Sequence, residues 1–593
     1  MIMPPGVSTQ ISIFENDYGL FTSHCEIARR RDVAVLFLNA WGLEGLYIQS
    51  YHRDLAEKFA SIGISSLRFD FPGTGNALDG VPEEMTLNSW FDAMQSAARE
   101  LRRLAGTQNI ALLGHGLGAS LAFLEARSTA DLAGLILMAP VLAGRRYLRD
   151  LSVMSKFIDN VMGLKAEQYD AAPGSIAGLR MAPQIAAQIK DINLEKALPP
   201  EPTVPVLIVS QPGRPDQAWA DQLREKGHSV DTLRYDGYDA LVSGSLPPKL
   251  PKIGGQICAW LQGLPAYRAG ARATSQVPSV KPLVVGSALE TPVFFGEEPA
   301  FFGTVCEPIG PATGVAVLIL TTGYDPQSGW ARSAAELARR LAARGIASLR
   351  YDSAGVGESP AVPGRRRQIL YDPVQSKDVG VAFAYLRERL RPSKTMVVGR
   401  CSGAYLAFRA AVADPGWDAC VVVNPPDFRW RFRGLPRTLN AYSEKLRKRD
   451  LAKALRAGEV DARAALQNIG VRLIDRAAGA MAKVLPGAPR LVRRSDLVMR
   501  DFEKLARRKT EVTILYSEGD EGEGSFRIHF GTDGEKLAAF PNIRLLRIPA
   551  ADHNVTPRPA REMMFEAIEQ QALALASGTT VGVETERASS PAG

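Results

Sequence analysis

The sequence predicts an α/β protein built twice: two tandem, mostly parallel, doubly wound sheets, each with a helical cap insertion. Three observations predict it. A segment repeats: Gly63-Ile64-Ser65-Ser66-Leu67-Arg68-Phe69-Asp70-Phe71-Pro72-Gly73-Thr74-Gly75 aligns with Gly345-Ile346-Ala347-Ser348-Leu349-Arg350-Tyr351-Asp352-Ser353-Ala354-Gly355-Val356-Gly357, identical at eight of thirteen positions, which marks an internal duplication. Short apolar runs alternate with segments of helical spacing in each copy, the pattern of a parallel sheet covered by helices on both faces. A glycine-flanked turn between a strand and a helix also occurs twice. It reads Gly114-His115-Gly116-Leu117-Gly118 after Ile110–Leu113, and Gly399-Arg400-Cys401-Ser402-Gly403 after Thr395–Val398.

The elements follow in order. Val33–Leu38 is a buried strand, Asp54–Ile62 a helix with Leu55, Phe59 and Ile62 on one face, and Ser65–Phe69 the next strand. A helix over Leu87–Ala105 and a strand over Leu135–Met138 complete the pattern. The second copy repeats it with Val315–Leu320, Ala334–Ala343, Ser348–Tyr351, Pro373–Leu390 and Cys420–Val423. The copies diverge afterwards. The first inserts a cap over about 141–200 and the second a basic, helix-patterned cap over about 425–510. The expected domains are 1–263 and 293–576, with a Pro/Gly/Ser/Ala-rich linker over 264–292. The apolar-poor tail 577–593 is expected to be disordered.

Composition bounds the function. A chain of 593 residues exceeds one core. No apolar stretch is long enough to span a bilayer, and the first twenty residues lack a signal-peptide pattern. Five cysteines in so long a chain are no disulfide framework, so a reducing cytoplasm is the expected compartment. The six histidines lack zinc-ligand spacing, and no cofactor is expected. The net charge of +8 is concentrated: Phe428–Lys509 holds 22 Lys or Arg against 8 Asp or Glu. Such a face is either a solvated surface or a dock for an anionic partner, such as acyl-carrier protein, coenzyme A, an anionic glycan or an anionic lipid surface. Nucleic acid is not expected, since no binding module is recognisable.

The tight turn exposes one side chain at its apex, and only the second copy has a nucleophile there, Cys401. A thiol nucleophile needs a base and an orienting acid. The strand Val512–Tyr516 runs into Ser517-Glu518-Gly519-Asp520, which makes Asp520 the expected acid, with Glu518 as fallback. His553, in the loop after the strand Ile543–Ile548, is the expected base. His529 is a weaker candidate, since no strand end places it. The oxyanion formed on attack needs backbone N–H donors. Ser402 supplies one and either Gly323 or Tyr324 the other. The first copy is empty at each corresponding position: Gly116, Gly213 and Ala240 stand where Cys401, Asp520 and His553 do. A structural role is expected for it.

At these residues the chain resembles the α/β-hydrolase superfamily across both halves, which implies the order nucleophile, acid, histidine. Gly399–Tyr405 and Ala551–Pro557 resemble bacterial α/β-hydrolases of exopolysaccharide and exosortase-associated gene clusters, as do Leu38–Ala40 and Ala139–Arg149 of the first half. Cysteine at the apex is similar to dienelactone hydrolases and polyhydroxyalkanoate synthases, whereas most of the superfamily uses serine. The reading is a cysteine-dependent enzyme that forms an acyl-enzyme from an ester or thioester, then hydrolyses or transfers the acyl group, as in exopolysaccharide or secondary-metabolite biosynthesis. A non-catalytic scaffold of a biosynthetic complex and a polyester-synthase-like transferase are the alternatives.

Overall fold

The computed structural model describes residues 4–15, 17–25, 29–78, 83–170, 172–211, 213–214, 216–242, 250–272, 280–297, 300–362, 374–429, 494–531 and 534–579. Most of the second cap, 430–493, and the tail from 580 lie outside the described residues.

The first half contains β1 (Val7–Phe14), β2 (Asp17–His24), β3 (Arg29–Arg31), β4 (Ala34–Leu38), β5 (Ser65–Phe69), β6 (Ile110–His115), β7 (Leu132–Met138), β8 (Val206–Ser210) and β9 (Val230–Arg234). Eight of these form one sheet in the order β1-β2-β5-β4-β6-β7-β8-β9, parallel from β5 onward. After β10 (Ala269–Arg272), the second half contains β11 (Leu283–Val285), β12 (Ala288–Phe295), β13 (Phe301–Pro308), β14 (Val315–Leu320), β15 (Ala347–Tyr351), β16 (Lys394–Arg400), β17 (Ala419–Val423), β18 (Glu511–Ser517) and β19 (Ile543–Ile548). They order as β11-β12-β13-β15-β14-β16-β17-β18-β19, so the two sheets share one topology.

The central strands are apolar on both faces because helices cover both. In the first half, Leu36, Leu38 and Leu112 pack with the helices Leu87–Ala105 and Leu117–Glu125, while Val35, Phe37 and Leu113 pack with Gly42–Ser61 and Gly254–Gln262. Successive side chains of a strand point to opposite faces, so a continuous apolar run is what a sheet buried on both sides requires. The second half repeats this, with Ser333–Ala343 and Arg558–Ser577 on one face and Gln375–Leu390 and Ser402–Ala413 on the other.

Three features depart from the sequence reading. The antiparallel strands β1, β2, β12 and β13 extend each sheet beyond its parallel part; their mixed polar and apolar residues carry weak periodicity. The helix expected over 54–62 spans Gly42–Ser61 and buries His52, Arg53, Asp54 and Glu57. Of these, Arg53 reaches the other half, where it donates to the carbonyls of Gly357 (2.7 Å) and Ser359; buried polar residues of this kind mask the apolar stripe. The expected linker is ordered at both ends. β10 pairs with β3 of the first half, and β11 turns through Gly286, at φ 55°, into β12.

The halves are joined by polar and apolar contacts. Arg68 pairs with Glu358 at 2.7 Å. Arg332 donates to the carbonyls of Gly75 (2.9 Å), Gly73 (3.1 Å) and Ala77 (2.7 Å). Tyr18 and Leu20 of one half share a small apolar cluster with Leu283 and Phe302 of the other.

Candidate active site

The two strand-to-helix turns have the same backbone. Cys401 has φ 52°, ψ −118° and Gly116 has φ 56°, ψ −120°. In each, the apex N–H donates to the end of the neighbouring strand, Cys401 to Val423 O at 2.8 Å and Gly116 to Met138 O at 2.9 Å. The flanking glycines are dictated by space. A Cβ on Gly399 would lie 2.2 Å from Gly403 O, and one on Gly403 would lie 2.7 Å from Thr321 O. A non-glycine residue at positive φ is strained, and such strain persists where the surroundings hold it in place.

The structure brings Cys401, His553 and Asp520 together. The Cys401 side chain is hydrogen-bonded to His553, and His553 Nδ1 lies 2.6 Å from Asp520 Oδ2. Asp520 rather than Glu518 faces the imidazole. Its other carboxylate oxygen, Oδ1, accepts the Gly522 N–H at 2.8 Å. His529 lies buried in the helix Gly522–Phe530.

Electrostatics set Cys401 apart. Burial pushes the thiols of Cys258 and Cys306 up to about 11 and about 12 and raises Cys420 further. The thiol of Cys401, which is half-buried, is lowered instead. Burial opposes the thiolate, but the charge and hydrogen bond of His553, the Arg400 guanidinium and the Ser402 N–H together outweigh it. His553 is shifted up by the same coupling: burial disfavours its charge, while Cys401 and Asp520 favour it more strongly. The pair therefore leans toward thiolate and imidazolium.

The oxyanion donors are less open. The Ser402 N–H is directed at the Cys401 sulfur, where an oxyanion would form. The Gly323 N–H donates to the Ser402 hydroxyl at 2.7 Å, so this candidate donor is engaged within the protein. Tyr324 follows it in the same loop, which Thr322 ties to the elbow through Arg400 O at 2.7 Å. Arg400 itself reaches Asn554 Oδ1 (2.5 Å) and Asp325 (3.5 Å).

Sequence reasoning missed Asn424, a fully buried residue with φ 48° just after β17. Its amide accepts the Ser517 N–H at 2.7 Å and donates to Ser517 Oγ and His553 O, both at 2.9 Å. Ser517 Oγ donates in turn to Asp552 O at 2.7 Å. Asn424 thus clips the acid-bearing turn to the base-bearing loop. Its signal in the sequence was a single polar residue at the end of an apolar strand.

In the first half the space over the Gly116 apex is filled. Glu44 occupies the space over Gly116, where a Cβ would lie 2.5 Å from Glu44 Oε2. Tyr238 OH donates to Glu44 Oε1 at 2.8 Å, and His115 Nε2 lies 3.6 Å from the same atom. Tyr238 belongs to a short helix, Tyr238–Val242, where Ala240 stands in place of a base. Burial raises Glu44 to about 7 and lowers His115 to about 3.

A family model described as serine aminopeptidase, S33, matches residues 45–234 and 314–469, more than half of the chain. The chain belongs to that family. Both halves of this S33 chain are α/β-hydrolase folds, and the protein is an α/β-hydrolase. The family's name specifies a serine, whereas this member carries Cys401 at the apex with Ser402 one position on. The second match ends before Asp520 and His553. Among solved structures, the chain is similar to 2,6-dihydroxy-pseudo-oxynicotine hydrolase (17% identity, 51% of this chain and 72% of that one, TM-score 0.31). It is also similar to proline iminopeptidase of Mycobacterium smegmatis (15%, 48% and 99%, 0.28) and to dienelactone hydrolase of Anabaena variabilis (15%, 48% and 96%, 0.30). No curated protein sequence matches it. Among the described residues no group of three or more His, Cys, Asp or Glu could hold a metal ion, and no helix is long and apolar enough to cross a membrane.

Proposed function

We propose that the second half cleaves an ester or thioester through an acyl-enzyme on Cys401. The supporting observation is the geometry and shift at Cys401: a half-buried thiol that is lowered rather than raised, bonded to a histidine that is itself 2.6 Å from a buried carboxylate. The Cys401 thiolate adds to the carbonyl carbon, and its electron pair forms the C–S bond while the carbonyl π pair moves to oxygen. The Ser402 N–H stabilises that oxyanion. Collapse expels the alkoxide or thiolate, which takes its proton from His553. His553, now neutral, then removes a proton from the acceptor that attacks the thioester carbonyl, and collapse of that adduct breaks the C–S bond and returns the Cys401 thiolate beside the protonated His553. Asp520 holds the ring so that Nε2 faces the sulfur. Water as acceptor gives hydrolysis, and an alcohol or amine gives acyl transfer. Thioester donors suit a sulfur nucleophile because the leaving thiolate is no worse than the attacking one.

The test is alkylation of Cys401 by iodoacetamide at pH 7, followed by acylation from a panel of acyl thioesters and esters read as mass shifts. His553→Ala is expected to slow alkylation at least tenfold, and Cys401→Ala to abolish the acyl adduct. Alkylation at the same rate in His553→Ala, with no adduct from any donor, overturns the proposal in favour of a non-catalytic scaffold. Adducts that grow by successive units would identify a polyester-synthase-like transferase.

A further inference from the structure

Between the two halves lies a cavity of about 320 Å³, separate from the Cys401 site. Among the described residues its walls carry five arginines, Arg180, Arg332, Arg339, Arg558 and Arg561, and two carboxylates, Glu336 and Glu562. Even these two are poorly placed to neutralise it. Glu562 is bonded at 2.5 Å to Arg340, which is not part of the wall, and lies 3.9 Å from Arg558. Glu336 lies 3.9 Å from Arg561. Arg339 is matched by Glu290 at 3.0 Å, which it shares with Arg350. Arg180 is matched by Asp170 at 2.5 Å in an exposed pair.

Arg561 is the most telling member. It is 9% exposed and its hydrogen bonds go to carbonyls: Thr556 O at 2.9 Å, Ala331 O at 3.3 Å and Gly178 O at 3.4 Å. Burial lowers its pKa, Glu336 opposes this, and Arg180 adds repulsion, so the two guanidiniums feel one another across the space. The adjoining wall is strained, with Ala331 at φ 52° and Arg332 at φ 62°, two consecutive non-glycine residues in the left-handed region. A largely buried guanidinium whose carboxylate partner stands as far as 3.9 Å away keeps charge that a bound anion can offset, and guanidinium geometry suits phosphate and carboxylate oxygens.

We propose that this cavity is a binding site for a small multivalent anion bearing phosphate or carboxylate groups, and that its occupancy is felt at the base-bearing loop. The route is short. Arg561 donates to Thr556 O, and Thr556 bonds through its N–H (2.6 Å) and hydroxyl (2.8 Å) to Asp552, which precedes His553. The proposal stands independently of the chemistry assigned to Cys401.

The test uses the full chain with inorganic pyrophosphate and citrate as probes, by thermal unfolding and isothermal calorimetry, at constant ionic strength set with chloride. A saturable rise in Tm of roughly 5 °C at a hundredfold excess over the dissociation constant is expected for at least one probe. Pyrophosphate alone would identify a phosphate ligand, and citrate alone a carboxylate. The double variant Arg180→Gln/Arg558→Gln, both exposed residues, is expected to keep its unliganded Tm within about 1 °C and to weaken binding at least tenfold. Absence of saturable binding for both probes overturns the proposal, as does an unchanged dissociation constant in the double variant or a rate of iodoacetamide alkylation at Cys401 that a saturating probe leaves unchanged.

Discussion

Replacing Gly116 by alanine tests whether Glu44 occupies the space over the apex of the first half. The alanine Cβ would lie 2.5 Å from Glu44 Oε2 and 3.0 Å from Glu44 Cδ, so the carboxylate must move and break its 2.8 Å bond from Tyr238. Overpacking of this kind costs about 1–3 kcal/mol. The backbone at φ 56° adds about 1–3 kcal/mol for a residue with a Cβ. A loss of about 3 kcal/mol follows, or a fall of ~6–12 °C in the melting of that half. Glu44→Ala empties the space, so Gly116→Ala in that background loses only the backbone part. The double-mutant cycle should show a coupling of at least ~1 kcal/mol. Calorimetry and urea unfolding of the four proteins measure it. A Gly116→Ala protein within about 0.5 kcal/mol of wild type, or costs that simply add, would refute the account of Glu44 as the occupant of the space over that apex.

Three further outcomes are expected. Asp520→Asn should lower turnover of an acyl substrate by roughly 10²–10⁴-fold with the fold intact, since the His553 ring loses its orienting acceptor; circular dichroism beside steady-state rates checks this. Asn424→Ala should cost about 1–3 kcal/mol by orphaning the Ser517 N–H and the His553 carbonyl, and it should lower kcat more than it raises KM. Two groups should contribute stability that falls as pH rises: burial raises Glu44 to about 7 from an ordinary 4.5 and Asp17 to about 8 from 3.8. At these two carboxyls the folded state binds more protons than the unfolded one, and their contribution, full below pH 4, is lost as pH climbs through 7 to 8. Glu44→Gln should flatten the part of the Tm–pH profile that ends near 7, and an unaltered profile would refute that assignment.

Much of the architecture was legible because it is local. The repeat around Gly63 and Gly345, the apolar runs and the glycines at 399 and 403 are properties of short segments, and the alternation of strands and helices admits few topologies. Cys401, Asp520 and His553 could be named because each stands at a strand end, and strand ends in such a sheet converge. Interactions across long separations were not legible. That Asn424 would join two loops, that Ser402 would hold the Gly323 N–H, and that Glu44 would fill the space over Gly116 depends on which atoms meet. No periodicity encodes that.

By itself, then, the chain determined that there would be two related sheets and only one apex bearing a reactive atom, because backbone geometry and residue type are written position by position. Only the tertiary structure decided which way that thiol is shifted, since a thiol is raised or lowered by what surrounds it, as Cys420 and Cys401 show in opposite directions. It alone also gathered Arg180, Arg332 and Arg561, far apart in the chain, around one cavity, because association of the two halves brings their walls together.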